Sequence, residues 1–242
     1  MAILFVAIAY IFLSKGKSLS IKSKALLLLS APILLIVIYQ VGLIKDPNRW
    51  GGVISRISVG FEGNPSLVYC TGIEALEEAL ETKGIEITPS IQKGLDSVVD
   101  GDGARIMAAR SGISLMLENP MGINQSKQAY QQAIELHCGS KPKIFIAHAH
   151  NAWIDTALAI GIPGAILLLL TLINYAKLGC ENLSTNPALS PYAMALFASA
   201  CMWILRGLLD STMRDQMLEM QAFIFSTLFG IILSKKTKVR LH

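Results

Sequence analysis

Charge is scarce in this chain. Of its 242 residues only 16% are Asp, Glu, Lys or Arg, where ordinary soluble domains carry roughly 25%. That deficit argues against a soluble globular enzyme, and also against a disordered chain, which needs high charge and few apolar residues. Cysteine is scarce too: four residues are too few for the disulfide framework of a small secreted module. The net charge of +4 is small and gives no signal for nucleic acid, because where charges sit matters more than their sum. What is abundant is apolar. Hydrophobic residues make up 52% of the chain, and the mean hydropathy is +0.51.

A helix that spans a bilayer needs about 20 mostly apolar residues, since each adds ~1.5 Å to a core of ~30 Å. Five segments come into question: Ala2–Leu13, which is short, Ala25–Ile44, Ala152–Ala176, Pro191–Leu209 and Met217–Ser234. Their few charges, Asp155, Arg206 and Glu219, sit near segment ends, where snorkelling or water access makes them tolerable. One such run alone could be a buried core helix; four or five in a short chain leave little room for that. The expected fold class is all-α, a polytopic integral membrane protein. Two N-terminal membrane segments occupy residues 1–44. A mostly helical extramembrane domain occupies 45–151. Three membrane helices and a basic tail occupy 152–242.

Lys15, Lys17, Lys22 and Lys24 form one basic cluster, and Lys235, Lys236, Lys238 and Arg240 another. Short basic segments stay on the cytoplasmic side. The four spans from Ala25 onward connect these clusters and return the chain to the same side. Residues 45–151 then lie outside. Cys70 and Cys138 share that oxidising compartment and are expected to pair.

The outer region is a different material, with ten Lys/Arg and twelve Asp/Glu between Lys45 and Asn151. Gly72–Lys83 places Ile73, Leu76 and Leu80 on one face and ends at Gly84. Its glutamates read as a solvated face. Thr88-Pro89 reads as N-cap and first position of a helix to Val99, with Ile91, Leu95 and Val98 inward. Gly101-Asp102-Gly103 breaks the chain. A helix from about Ala104 to Leu117 stops at Glu118-Asn119-Pro120-Met121-Gly122. A fourth runs from about Ser126 to Leu136, before an irregular stretch Cys138–Lys143.

Two clusters carry chemistry. Arg105 and Arg110 share the third of these helices, about 140° apart around its axis. Arginine suits a diphosphate because its planar fork donates two hydrogen bonds and stays charged; the alternative is a pair of solvated or salt-bridged arginines. The second cluster is Ala147-His148-Ala149-His150-Asn151-Ala152-Trp153, at the junction with a membrane span. Histidine can take a proton at neutral pH. The alternatives are a satisfied interfacial histidine and a zinc site drawn from His137, Cys138, His148 and His150, for which the spacing is weak. No metal is therefore assigned. Trp153 is most simply an interfacial anchor.

Together, Gly103-Ala104-Arg105…Arg110…Glu118-Asn119-Pro120-Met121-Gly122-Ile123 and His148-Ala149-His150-Asn151…Gly161-Ile162-Pro163-Gly164 resemble the O-antigen ligase/polymerase superfamily, and within it O-antigen ligase best. Met121 stands where the family usually has Leu. The resemblance covers about Gly103 to Ser234. It implies a multi-pass protein of a bacterial inner membrane with residues 45–151 periplasmic and the C-terminus cytoplasmic. It also implies an inverting, metal-independent glycosyltransferase without a cofactor. The donor would be a glycan on undecaprenyl diphosphate, the acceptor lipid A–core, and the pathway lipopolysaccharide biosynthesis. An O-antigen polymerase or protein O-oligosaccharyltransferase of the same superfamily is the alternative; a non-catalytic membrane subunit is an alternative of another class. By position, His150 matches the catalytic histidine, Arg105 and Arg110 the donor-diphosphate arginines, and His148 and Asn151 supporting residues. Family members have about a dozen membrane helices, so the resemblance also implies an N-terminal helical half beyond the five segments here. Expected partners are the lipid-linked donor, the acceptor and membrane lipids, with no nucleic acid.

Overall fold

The computed structural model describes residues 20–99, 101–123, 128–185, 188–211, 213 and 215–240. Among the described residues all regular structure is helical. In chain order the helices are α1 (Ile21–Lys45), α2 (Pro47–Trp50), α3 (Val53–Gly60), α4 (Pro65–Thr71), α5 (Glu74–Thr82), α6 (Pro89–Val99), α7 (Asp102–Glu118), α8 (Ala129–Cys138), α9 (Ala152–Thr185), α10 (Ser190–Leu209) and α11 (Asp215–Arg240). The segment Ala2–Leu13, the start of the fourth outer helix at Ser126 and the first two lysines of the N-terminal basic cluster lie outside the described residues.

Among the described residues three helices are long and apolar enough to cross a membrane: Ala152–Leu183, Ser190–Leu209 and Met217–Ser234. In α1, Pro32–Lys45 is a shorter apolar stretch. Helix α9 continues nine residues past the expected end at Ala176. Lys177 and Glu181 lower the hydropathy there, but no Pro stops the helix, and Gly179 is held in it by packing against Ala193 and Phe197.

The chain divides into two compact units: Val37–Ala165, and the described residues of Met1–Ile36 with Ile166–His242. In the second unit α9 and α10 approach closely at Gly179, where a side chain would run into the backbone of Ala193 and Phe197. Small residues serve this purpose in membrane helix pairs. Tyr175 stacks on Phe225 of α11, with centroids 5.2 Å apart.

The unit Val37–Ala165 is built around α3, α6 and α7, which pack on one another. Val59, Leu95, Val98, Met107 and Leu115 are buried between them. Gly94 lets α6 lie against Val59 and the Ser55 carbonyl. Thr88 Oγ1 accepts from the N–H of Ile91, the expected cap of α6. Helix α5 buries Leu76 and Leu80 as its pattern predicts. Helices α3 and α4 are absent from the sequence-based expectation. Asn64 caps α4 by accepting from Ser66 and Leu67, with Pro65 in the first turn, so the signal for that helix was present. A Cys70–Cys138 disulfide ties α4 to the end of α8, as expected from the shared compartment.

Candidate active site

The chain reaches the site along an extended segment. Lys143 donates its backbone N–H to the Tyr69 carbonyl at 2.9 Å. Ile144 and Ile146 are buried while Phe145 between them is exposed. Ala149, fully buried, is the last anchor before His150. Gly112 of α7 faces this point: a side chain there would meet Ile154 and Ala149. The missing side chain lets the start of α9 lie close against α7.

His150 has φ = +52°, the one non-glycine residue with positive φ among the described residues. That conformation is uncommon for a residue with a side chain, and strain of this kind clusters at functional sites. The surrounding bonds enforce it. Asn151 Oδ1 accepts from the N–H groups of Trp153 and Ile154, at 3.0 and 3.2 Å. Asp155 Oδ1 reaches back to the Ala149 N–H at 2.9 Å. Asn151 caps the helix start, Asp155 holds the backbone two residues before it, and His150 lies between those two fixed points. The His148 and His150 rings lie 4.2 Å apart, tilted by 52°.

His150 lines a cavity of about 250 Å³ with Arg105, Val99, Gly101, Asp102, Ala104, Phe145, Ile146 and Ala147. The floor is the N-terminus of α7. Gly101, its N-cap, offers no side-chain acceptor, so the first-turn N–H groups lack the usual cap. Such a helix start favours anions through its free donors and its dipole. Asp102 is the negative group here, and its carboxylate is held by Arg56 at 3.3 Å. Arg105 is exposed and makes no ion pair among the described residues.

Arg110 takes a different part. Its guanidinium donates to the carbonyls of Gly60 and Glu62 at 2.9 and 3.0 Å through Nη1, and to Gly63 at 2.9 Å through Nη2. These are the carbonyls at the end of α3, and Arg110 braces them; it does not line the cavity with Arg105. Asn151 likewise spends its side-chain oxygen on the helix cap. His137 pairs with Glu118 at 3.1 Å, and Cys138 is in the disulfide, so neither joins the two site histidines. The sequence reading did not single out Asp155 as an anchor for the Ala149 N–H or Phe145 as a wall, and it treated Gly101-Asp102-Gly103 only as a break. An Asp four residues after an Asn cap is the signal that could have revealed the first.

The arrangement brings a cation, a helix N-terminus and a titratable ring to one cavity. It can stabilise negative charge developing on a leaving group while a neighbouring ring accepts a proton. The family model described as O-antigen ligase matches residues 1–169. The chain belongs to this family. No curated protein and no solved structure matches it.

Proposed function

We propose that this member of the O-antigen ligase family is a glycosyltransferase that moves a glycan from undecaprenyl diphosphate to a hydroxyl of lipid A–core. The observation that carries this is Arg105 and His150 on one cavity, at the N-terminus of α7. The diphosphate sits against Arg105 and the first turn of α7 at Ala104. His150 takes the proton of the acceptor hydroxyl as its oxygen attacks the anomeric carbon. The bond from that carbon to the diphosphate oxygen breaks, and its electron pair stays on the diphosphate. Attack opposite the leaving group inverts the anomeric centre. Arg105 and the helix dipole supply the positive charge the leaving group needs, so the scheme uses no metal and no cofactor. His148 lies beside the base and borders the acceptor.

The disulfide supports a reaction side outside the cytoplasm. A Cys70–Cys138 bond belongs to an oxidising compartment, and with the basic clusters it supports a periplasmic domain on a bacterial inner membrane with a cytoplasmic C-terminus.

The test is transfer in membranes containing the full chain, with a labelled undecaprenyl diphosphate glycan and lipid A–core. A general base contributes ~10²–10⁴ in rate, so His150→Ala should lose at least a hundredfold at unchanged expression. His148→Ala should lose less. Full transfer by His150→Ala would overturn the assignment of the base. Equal loss in both variants together with inactivation by a chelator would replace it with a metal site.

A further inference from the structure

The unit Val37–Ala165 carries apolar side chains that its core does not use. Ile54, Ile57 and Phe61 follow one another at helical spacing along α3 and its cap. Ile113 and Leu117 do so along α7, and Met121 follows in the loop after it. All six are exposed, Leu117 by 65% and Met121 by 78%. The inward faces of the same helices hold Val59, Met107 and Leu115, which are buried.

The α7 stripe takes up where the α3 stripe ends, since α3 packs on the first turns of α7 at Gly103 and Ile106. Leu117 is seven residues from Arg110, about 20° around the helix, and Ile113 about 60°. Arg110 points at the carbonyls of Gly60, Glu62 and Gly63, so this side of α7 faces the end of α3 where Phe61 sits. Gly60 itself lies against the backbone of Gly103 and against Ile106.

Both ends of the face are tied to apolar helices. At one end Trp50, four residues before Ile54, folds back on the last turns of α1. Its ring meets Tyr39 edge-on at 6.2 Å, and it leaves no room for a side chain at Gly42. Exposed Lys45 ends α1 beside it. Trp with Lys at the end of an apolar helix marks the water–lipid boundary. At the other end Met121 rests its backbone on Gly161 of α9, within the apolar stretch Ala152–Leu183. Charges near the face are paired inside the domain, Glu118 with His137 and Glu62 with Lys83.

We infer that this face, Ile54, Ile57 and Phe61 followed by Ile113, Leu117 and Met121, lies on the bilayer and sinks into the headgroup–acyl boundary. Exposed contiguous apolar surface rimmed by polar residues marks a membrane or protein contact. The two anchored ends and the absence of charge within the stripes select lipid. An amphipathic surface binds there through its buried apolar area. The inference is independent of the transferase chemistry.

The experiment uses the full chain in phosphatidylethanolamine/phosphatidylglycerol vesicles, with Cys180→Ser and Cys201→Ser and the native disulfide retained. A fluorescent NBD label is placed at Ile57→Cys, at Leu117→Cys and at Ile87→Cys. Ile87 is exposed and apolar but lies on neither stripe. Spin-labelled lipids should quench the labels at 57 and 117 severalfold more than at 87, and aqueous iodide severalfold less. Iodide quenching at 57 and 117 equal to that at 87 would overturn the inference by placing the face in water. Protection of both from lipid and iodide alike would overturn it by placing a protein there.

Discussion

Gly122 and Gly161 meet backbone to backbone. On either side of the contact the Ile123 N–H donates to the Leu158 carbonyl at 2.8 Å, and the Ile162 N–H to the Pro120 carbonyl at 2.9 Å. Both glycines have positive φ, +82° and +83°. The Asn119–Gly122 stop of α7 is thereby clasped to the kink in α9 made by Gly161 and Pro163. Helix α7 runs from this clasp to Arg105, and the first turns of α9 run from it to His150. The two elements that hold the cavity residues are joined at their far ends.

A side chain at either glycine should open the clasp. A Cβ at Gly122 would stand 2.5 Å from the Gly161 nitrogen, and one at Gly161 would stand 2.8 Å from the Met121 carbonyl carbon. A positive φ alone costs a residue with a side chain roughly 1–3 kcal/mol, and the clash adds to it. Gly122→Ala and Gly161→Ala should each lower the melting temperature of the purified protein by several degrees. Gly84→Ala is the comparison, because Gly84 has φ = +69° and nothing nearby; it should show the smaller effect. Equal shifts in all three would mean that the contact contributes nothing beyond conformation.

The disulfide should matter more. Cys70 and Cys138 are separated by 68 residues, and closing a loop of that length stabilises by on the order of 4 kcal/mol in the chain-entropy description. Reduction, or Cys70→Ser, should make residues 45–151 markedly more susceptible to limited proteolysis. Helices α10 and α11 lie outside that loop and should keep their resistance. Protease patterns unchanged by reduction would show that the core suffices.

Much of this was legible in the sequence. Leu76 with Leu80, and Leu95 with Val98, mark their helix faces by spacing alone, and Thr88-Pro89 and Asn119-Pro120 mark a start and a stop. Those signals are local. The division of labour between Arg105 and Arg110 is not: pitch puts them about 140° apart, but only packing against α3, some fifty residues earlier, decides which one faces the cavity. Helices α3 and α4 are one or two turns long, too short for periodicity to stand out. The left-handed backbone of His150 lies between the Asn151 cap and the Ala149 N–H held by Asp155, and a histidine gives no sign of it. Gly122 and Gly161 each read as a stop or turn, and nothing in one predicts contact with the other.

Alkali should weaken the domain through two phenols. Burial pushes the Tyr69 and Tyr130 hydroxyls well above their ordinary value of 10.0. Tyr130 also donates to the Ala108 carbonyl at 3.1 Å. A raised value in the folded state means that the unfolded chain releases these protons first. The stabilisation is complete below pH 10 and is lost as pH rises beyond it. Thermal stability should therefore fall more steeply above pH 10 in the native protein than in Tyr69→Phe. Identical slopes would show that Tyr69 ionises as freely in the folded chain as in the unfolded one.

The two arginines should separate stability from activity. Arg110 satisfies three backbone carbonyls from a half-buried position. Leaving buried acceptors unmet costs about 1–3 kcal/mol each, and Lys cannot replace a fork that serves three oxygens at once. Arg110→Lys and Arg110→Ala should both destabilise the protein, with transfer falling only as folded protein is lost. Arg105 is exposed at the cavity, where a surface substitution changes stability by no more than about 0.5 kcal/mol. Arg105→Lys should melt like the native chain and yet lose most transfer, because it keeps the charge but not the two parallel hydrogen bonds to a phosphate. Melting curves and transfer assays on the same four preparations (native, Arg105→Lys, Arg110→Lys, Arg110→Ala) decide the matter. Native-like turnover in Arg105→Lys would take the diphosphate away from Arg105, and a stable, inactive Arg110→Lys would move it to the arginine assigned here as a brace.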